Sequence, residues 1–124
     1  MPIDDFSFEN QIFFAKETGV VSESDAKIWA EQLSDCARYS RSPIVAVVDA
    51  LEVSRMAYQA YVIFSKATFI PNVIEVVVAT NSSMNLSSQN VGLLGKHNHT
   101  SIFPTLDQAK RHAVKLLQAQ QGKK

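Results

Sequence analysis

Cysteine is nearly missing from this chain: Cys36 stands alone. A lone thiol closes no internal disulfide and builds no cysteine-based zinc site, and it fits a reducing, cytoplasmic setting. Long apolar runs are missing as well. No stretch approaches the roughly 18 to 20 residues of a transmembrane helix. The opening residues, Met1 to Asn10, lack the basic start and apolar stretch of a secretory signal. Net charge is absent, with 12 Lys+Arg against 12 Asp+Glu, which disfavours a generally basic nucleic-acid binder. The four prolines, Pro2, Pro43, Pro71 and Pro104, fall between candidate elements, as a residue without an N–H should. Glycine is scarce, and only Gly92-Leu-Leu-Gly95-Lys96 approaches a phosphate loop. Two residues separate its glycines where the pattern needs four, and His97 stands where a hydroxyl belongs. No Gly-x-Ser-x-Gly elbow, no repeat and no low-complexity segment occurs.

What remains is ordinary globular material. The 124 residues make one domain, 46% hydrophobic and 19% charged, which argues against disorder. The zero total hides an asymmetry. Residues 1–35 hold eight acidic and two basic side chains, and residues 36–124 hold four and ten. From Lys96 onward six basic residues face Asp107 alone. Such an end suits acidic partners or anionic lipid, or it is a solvated helix face with a loose tail.

The apolar periodicities set an order of elements. Residues 6–9 and 11–16 are short and aromatic-rich and read as two strands or one bent one, with Gly19 as the stop. Ser22-Glu-Ser-Asp25 opens a helix with an N-cap hydroxyl and early acids. Ala26, Trp29, Ala30, Leu33, Cys36 and Ala37 then recur at helical spacing, so Cys36 is an inert thiol of a packed stripe. Ile44 to Val48 is a β-branched run closing with Asp49, a strand buried on both faces. Arg55 to Ile70 predicts a helix apolar nearly all round, bounded by Pro71. Ile74 to Ala79 is the next strand. A weaker third helix or an irregular segment follows, up to Gly95. Thr100 to Phe103 is a short strand. Thr105-Leu-Asp-Gln108 is a capping box before a last helix with Leu106, Ala109, Ala113, Leu116 and Leu117 on one face and a polar end fraying from Gln118. Strands alternating with helices imply an α/β fold: a four- to five-stranded mixed, mostly parallel sheet with about four crossover helices.

Few residues carry chemistry. His97 and His99 share a face if the chain is extended there, but a metal site needs a third ligand, and His112 lies on a helix. Asp49 closes a buried strand, where it either takes part in a ligand site or caps the following loop, with capping the stronger reading. Glu52 and Arg55 are placed to pair. No Ser-His-Asp set or carboxylate pair assembles, so no catalytic residue, metal or cofactor is assigned.

The stretch Val47-Val48-Asp49-Ala-Leu-Glu-Val53-Ser54-Arg-Met-Ala57-Tyr58-Gln59-Ala-Tyr61-Val62 resembles the STAS domain of the SpoIIAA-like anti-sigma-factor antagonists. The likeness lies in a buried strand ending in Asp, then a short loop and a helix. Ile102-Phe103-Pro-Thr105-Leu106-Asp107-Gln-Ala109 is similar to the opening of that family's last helix, commonest in its STAS/Sec14-like branch. The likeness spans about residues 8–118 and implies a SpoIIAA-like fold. In the antagonists an acid and a phosphorylated serine begin the helix after the Asp strand. The positions that match by spacing are Ala57, Tyr58 and Gln59, and Ser54 falls in the loop, so the phosphoacceptor is missing.

The resemblance implies a non-enzymatic regulatory or binding module without cofactor. The over-apolar segment 55–70 adds an expected occupant: a small apolar ligand, a lipid or a membrane surface, bound through Asp49, Ser54, Met56, Tyr58, Gln59, Tyr61, Val62, Phe64 and Phe69. The alternative is a protein-interaction regulator or a homodimer without ligand. The protein is expected in the cytoplasm, with peripheral membrane contact.

Overall fold

In the computed structural model the described residues are 3–80 and 100–121. β1 (Ile3–Glu9) and β2 (Ile12–Val21) form a hairpin. Its two turn residues, Asn10 and Gln11, both have positive φ, 51° and 67°, as the tight turn between twisted antiparallel strands requires. α1 (Glu23–Tyr39), β3 (Ile44–Met56), α2 (Tyr58–Lys66), β4 (Val73–Ala79), β5 (Thr100–Phe103) and α3 (Leu106–Gln121) follow. The sheet runs β1-β2-β3-β4-β5, with β1 antiparallel and the other four strands parallel. This is the mixed, mostly parallel five-stranded α/β sheet that the periodicities imply. Three helices lie among the described residues. The weaker helix expected before Gly95, with Met84, the glycine segment, His97 and His99, lies outside them.

Each helix packs one stripe on the sheet. Ser22 is the expected N-cap of α1, and with Asp25 it closes a capping box: the Asp25 N–H donates to Ser22 Oγ (3.2 Å), and Asp25 Oδ2 accepts from the Ser22 N–H (2.9 Å). α1 buries Ala26, Trp29, Leu33 and Ala37 against the face holding Phe13, Ala15, Ile44, Ala46 and Val48, and Phe64 of α2 joins them. The opposite face holds Val45, Val47, Val77 and Ala79 under α3, through Ala109, Ala113 and Leu117. Ile44 to Val48 is therefore buried on both sides, as its lack of alternation predicts. Cys36 is half-buried, and desolvation, then the Asp35 charge, holds its thiol above the usual range, in keeping with an inert sulfur. Thr105 caps α3 by accepting the Gln108 N–H (3.2 Å), and the helix runs on to Gln121 instead of fraying at Gln118.

Three boundaries differ from the sequence reading. β2 passes through Gly19 and ends at Val21, because Gly19 at φ +65° absorbs a register shift instead of stopping the strand. β3 continues seven residues beyond Asp49, because β2 still runs beside it and pairs Val20 with Arg55 and Val21 with Met56. The expected helix 55–70 accordingly shrinks to Tyr58–Lys66 and a 3₁₀ turn, Ala67–Phe69, its first residues being strand. The excess apolar character of that segment comes partly from joining a strand end to a short helix.

Candidate functional site

The carboxyl ends of β2 and β3 form the corner that the sequence singles out. The Ala57 N–H donates to the Val21 carbonyl (2.9 Å), tying the start of α2 to the end of β2. Val20, 57% exposed, lies next to the last residue of β2, and Tyr58, 55% exposed, opens α2; Met56, Ala57 and Val62 are half-buried. Ser54 and Gln59 are exposed nearby, Ser54 in strand β3 and not in a loop. Tyr61 belongs to the middle of α2.

Three residues assigned to the site do not meet at this corner. Phe64 is core: its ring lies 4.4 Å from that of Trp29, and it is almost fully buried. Phe69 is exposed, but α2 runs back along the sheet and leaves it in the 3₁₀ turn leading to the amino end of β4. Asp49 sits in mid-strand. Lys16 aligns with it and Thr18 with Glu52, so β3 carries one extra residue there, a bulge. Asp49 Oδ1 accepts the Leu51 N–H (3.2 Å), so the capping reading holds, within a bulge and not a loop. Glu52 pairs with Lys16 (2.6 Å) across β2 and β3, not with Arg55.

Opposite the bulge lies a residue the sequence reading missed. Glu17 is fully buried, and neither carboxyl oxygen has a hydrogen-bond partner. Burial raises its pKa to about 8, with smaller contributions from the Asp25 and Asp49 charges. The protein thus keeps this proton at neutral pH. The signal was present: Phe13, Ala15 and Glu17 alternate toward one face, and the third is an acid in the core phase.

A second polar group lies under α3. Glu75 Oε2 accepts from Ser101 Oγ (2.6 Å) and lies 2.7 Å from His112 Nε2. The residue types match a serine–histidine–acid relay, but the wiring does not. A relay needs the serine on one imidazole nitrogen and the acid on the other. Here the serine bonds the acid, and Nε2, which faces the acid, is also the nitrogen that lies 3.4 Å from Ser101 Oγ. The group fastens α3 to β4 and β5. Among the described residues no set of three or more His, Cys, Asp or Glu is placed to hold a metal, and no helix is long and apolar enough to cross a membrane.

No family model matches the chain, and no curated protein matches it. Among solved structures it is similar to an uncharacterised protein of the DUF3478 family with a SpoIIAA-like fold, from Shewanella loihica PV-4. The identity is 16% and the TM-score 0.57, with 93% of each chain covered. The chain therefore has a SpoIIAA-like fold, as the resemblance read in the sequence implies.

Proposed function

We propose that this SpoIIAA-like module is a non-enzymatic binder of a small apolar ligand or single lipid, held at the corner where β3 passes into α2. The observation that carries the reading is the exposure of two large apolar side chains where β2 ends and α2 begins, Val20 and Tyr58. In open sheets with helical crossovers, ligands gather outside the carboxyl ends of the strands. Asp49 is occupied by the bulge, Glu17 is sealed in the core, and the Ser101 group lacks relay wiring, which supports binding over catalysis.

The basic side chains Lys110, Arg111 and Lys115 ride on α3, across the sheet from α2. They are far from helping this corner onto an anionic membrane, which favours a discrete ligand over a lipid surface. The antagonist-type switch has no support here, since Ala57, Tyr58 and Gln59 occupy the start of α2.

Native mass spectrometry followed by titration with a fluorescent fatty acid tests the reading. The expected result is a monomer that binds one equivalent, with binding lost in the Val20→Ser/Tyr58→Ser variant. Wild-type protein that does not bind, or a variant that binds as well, overturns it. A dimer without adduct that the same variant dissociates reassigns the corner to self-association.

A further inference from the structure

We propose that Glu17 is a proton-held latch on the end of β2: with its proton it keeps Thr18 to Val21 closed on β3 and α2, and without it that strand end lifts and the corner opens. The latch concerns how the corner is held and not what fills it, so it does not rest on the ligand reading.

The strand end has the geometry of a hinge. β1 reaches only to Ile3, which lies opposite Glu17. Beyond that pair, Thr18 to Val21 are laddered on one side alone among the described residues, to β3. The ladder is irregular there. Its register shifts between Lys16 and Thr18 and again between Gly19 and Val20. Gly19 lies between the two shifts, exposed, at φ +65°, and nothing stands within 4 Å of where its Cβ would be. Two contacts close the end. The Val21 side chain is buried in the layer under α1, and the Val21 carbonyl accepts the Ala57 N–H (2.9 Å). A one-sided strand end with a glycine at its root opens at lower cost than a central strand.

Glu17 stands where the two-sided pairing stops. It is fully buried, and neither carboxyl oxygen has a hydrogen-bond partner. The protonated carboxyl tolerates such a layer, whereas a carboxylate without partners does not. Its surroundings supply no counter-charge. The charges that act on it are Asp25 of α1 and Asp49 of β3, both acids. α2 gives Ala60 and Phe64 to this layer and β1 gives Phe6, all apolar. Lys16 precedes it in the strand, so it points to the opposite face, where it pairs with Glu52. An ionised Glu17 is therefore repelled from the α1 and β3 sides alike. Lifting Thr18 to Val21 gives it water without dismantling the sheet. The same movement breaks the bond between Val21 and Ala57 and displaces Val20, so the corner follows the proton.

Hydrogen exchange of the full chain, corrected for the intrinsic effect of pH, tests the latch at the amides of residues 18–21 and of Ala57. Between about pH 6 and about pH 9 wild-type protection there should fall by up to roughly a hundredfold. That limit follows from a carboxyl that titrates near 4.5 when open and at about 8 when closed. Glu17→Gln and Glu17→Leu, which carry no proton to lose, should hold their protection constant; either one that folds suffices. At every pH the wild-type amides of the strand end should stay less protected than those of Val45 to Val47, because the opening is local. Protection that does not change with pH in wild type, or that falls as much in the variants, overturns the proposal. Strand-end protection equal to that of Val45 to Val47 also overturns it, because Glu17 then reaches water only when the whole domain unfolds. No ligand enters the experiment, so its outcome is separate from that of the fatty-acid titration.

Discussion

Two glutamates in one sheet have opposite surroundings. Glu17 on β2 faces the layer under α1 and α2 and bonds to nothing. Glu75 on β4 lies under α3, 12% exposed, and accepts from Ser101 while pairing with His112. The helix cover explains the difference. Two helices seal the first face around Trp29, Phe13 and Phe64, and Trp29 Nε1 is likewise buried there without a hydrogen-bond partner. Among the described residues one helix covers the second face, and β5 and α3 supply polar partners there. A buried carboxyl without partners keeps its proton, because ionisation in a dry layer costs more than protonation. A carboxylate supplied with donors serves as a fastener.

The largest test of this contrast removes the titration of Glu17. Below about pH 4.5 the group is neutral in the folded and the unfolded chain alike. From there to about 8 the unfolded chain ionises it while the folded protein holds the proton. Its contribution to stability is therefore full in acid and is lost as pH rises through that window, with an upper bound of roughly 5 kcal/mol. Glu17→Gln should match wild type near pH 4 and gain over it as the buffer approaches pH 8, in urea unfolding across that range. A difference that does not change with pH breaks the contrast.

Next in size is Trp29→Ala, which empties the centre of the sealed face. Its expected cost is about 3–5 kcal/mol, read as a fall in the urea midpoint. On the other face, His112→Ala removes the imidazole from Glu75 and should cost about 2 kcal/mol, by the same measurement. Asn72→Ala removes the amide that serves three carbonyls and places an L side chain without that bond at φ 76°. About 1–2 kcal/mol is expected, with the α1 end losing hydrogen-exchange protection first. The smallest effect on stability belongs to Tyr58→Ser, within roughly 0.5 kcal/mol.

Local patterns in the chain made much of the fold legible. Ser22 with Asp25, and Thr105 with Gln108, are caps whose partners lie three residues apart, so short range suffices. The α1 stripe and the run Ile44 to Val48 reveal their burial by period alone. The corner residues Met56, Tyr58 and Val62 were legible as an apolar excess. Phe64 and Phe69 were not separable from them, because composition does not say which face of α2 meets Trp29. Ser101, Glu75 and His112 come from three elements, 11 to 37 residues apart in sequence, and only the pairing of β4 with β5 under α3 joins them.

By itself, then, the sequence determined most element types, the starts of α1 and α3, the doubly buried strand and the SpoIIAA-like order, all consequences of near-neighbour stereochemistry and apolar period. Only the tertiary structure decided where β3 ends, which apolar side chains stay exposed and which glutamate keeps its proton. Those depend on what lies across the sheet: a neighbouring strand that goes on pairing, and a helix that closes off water.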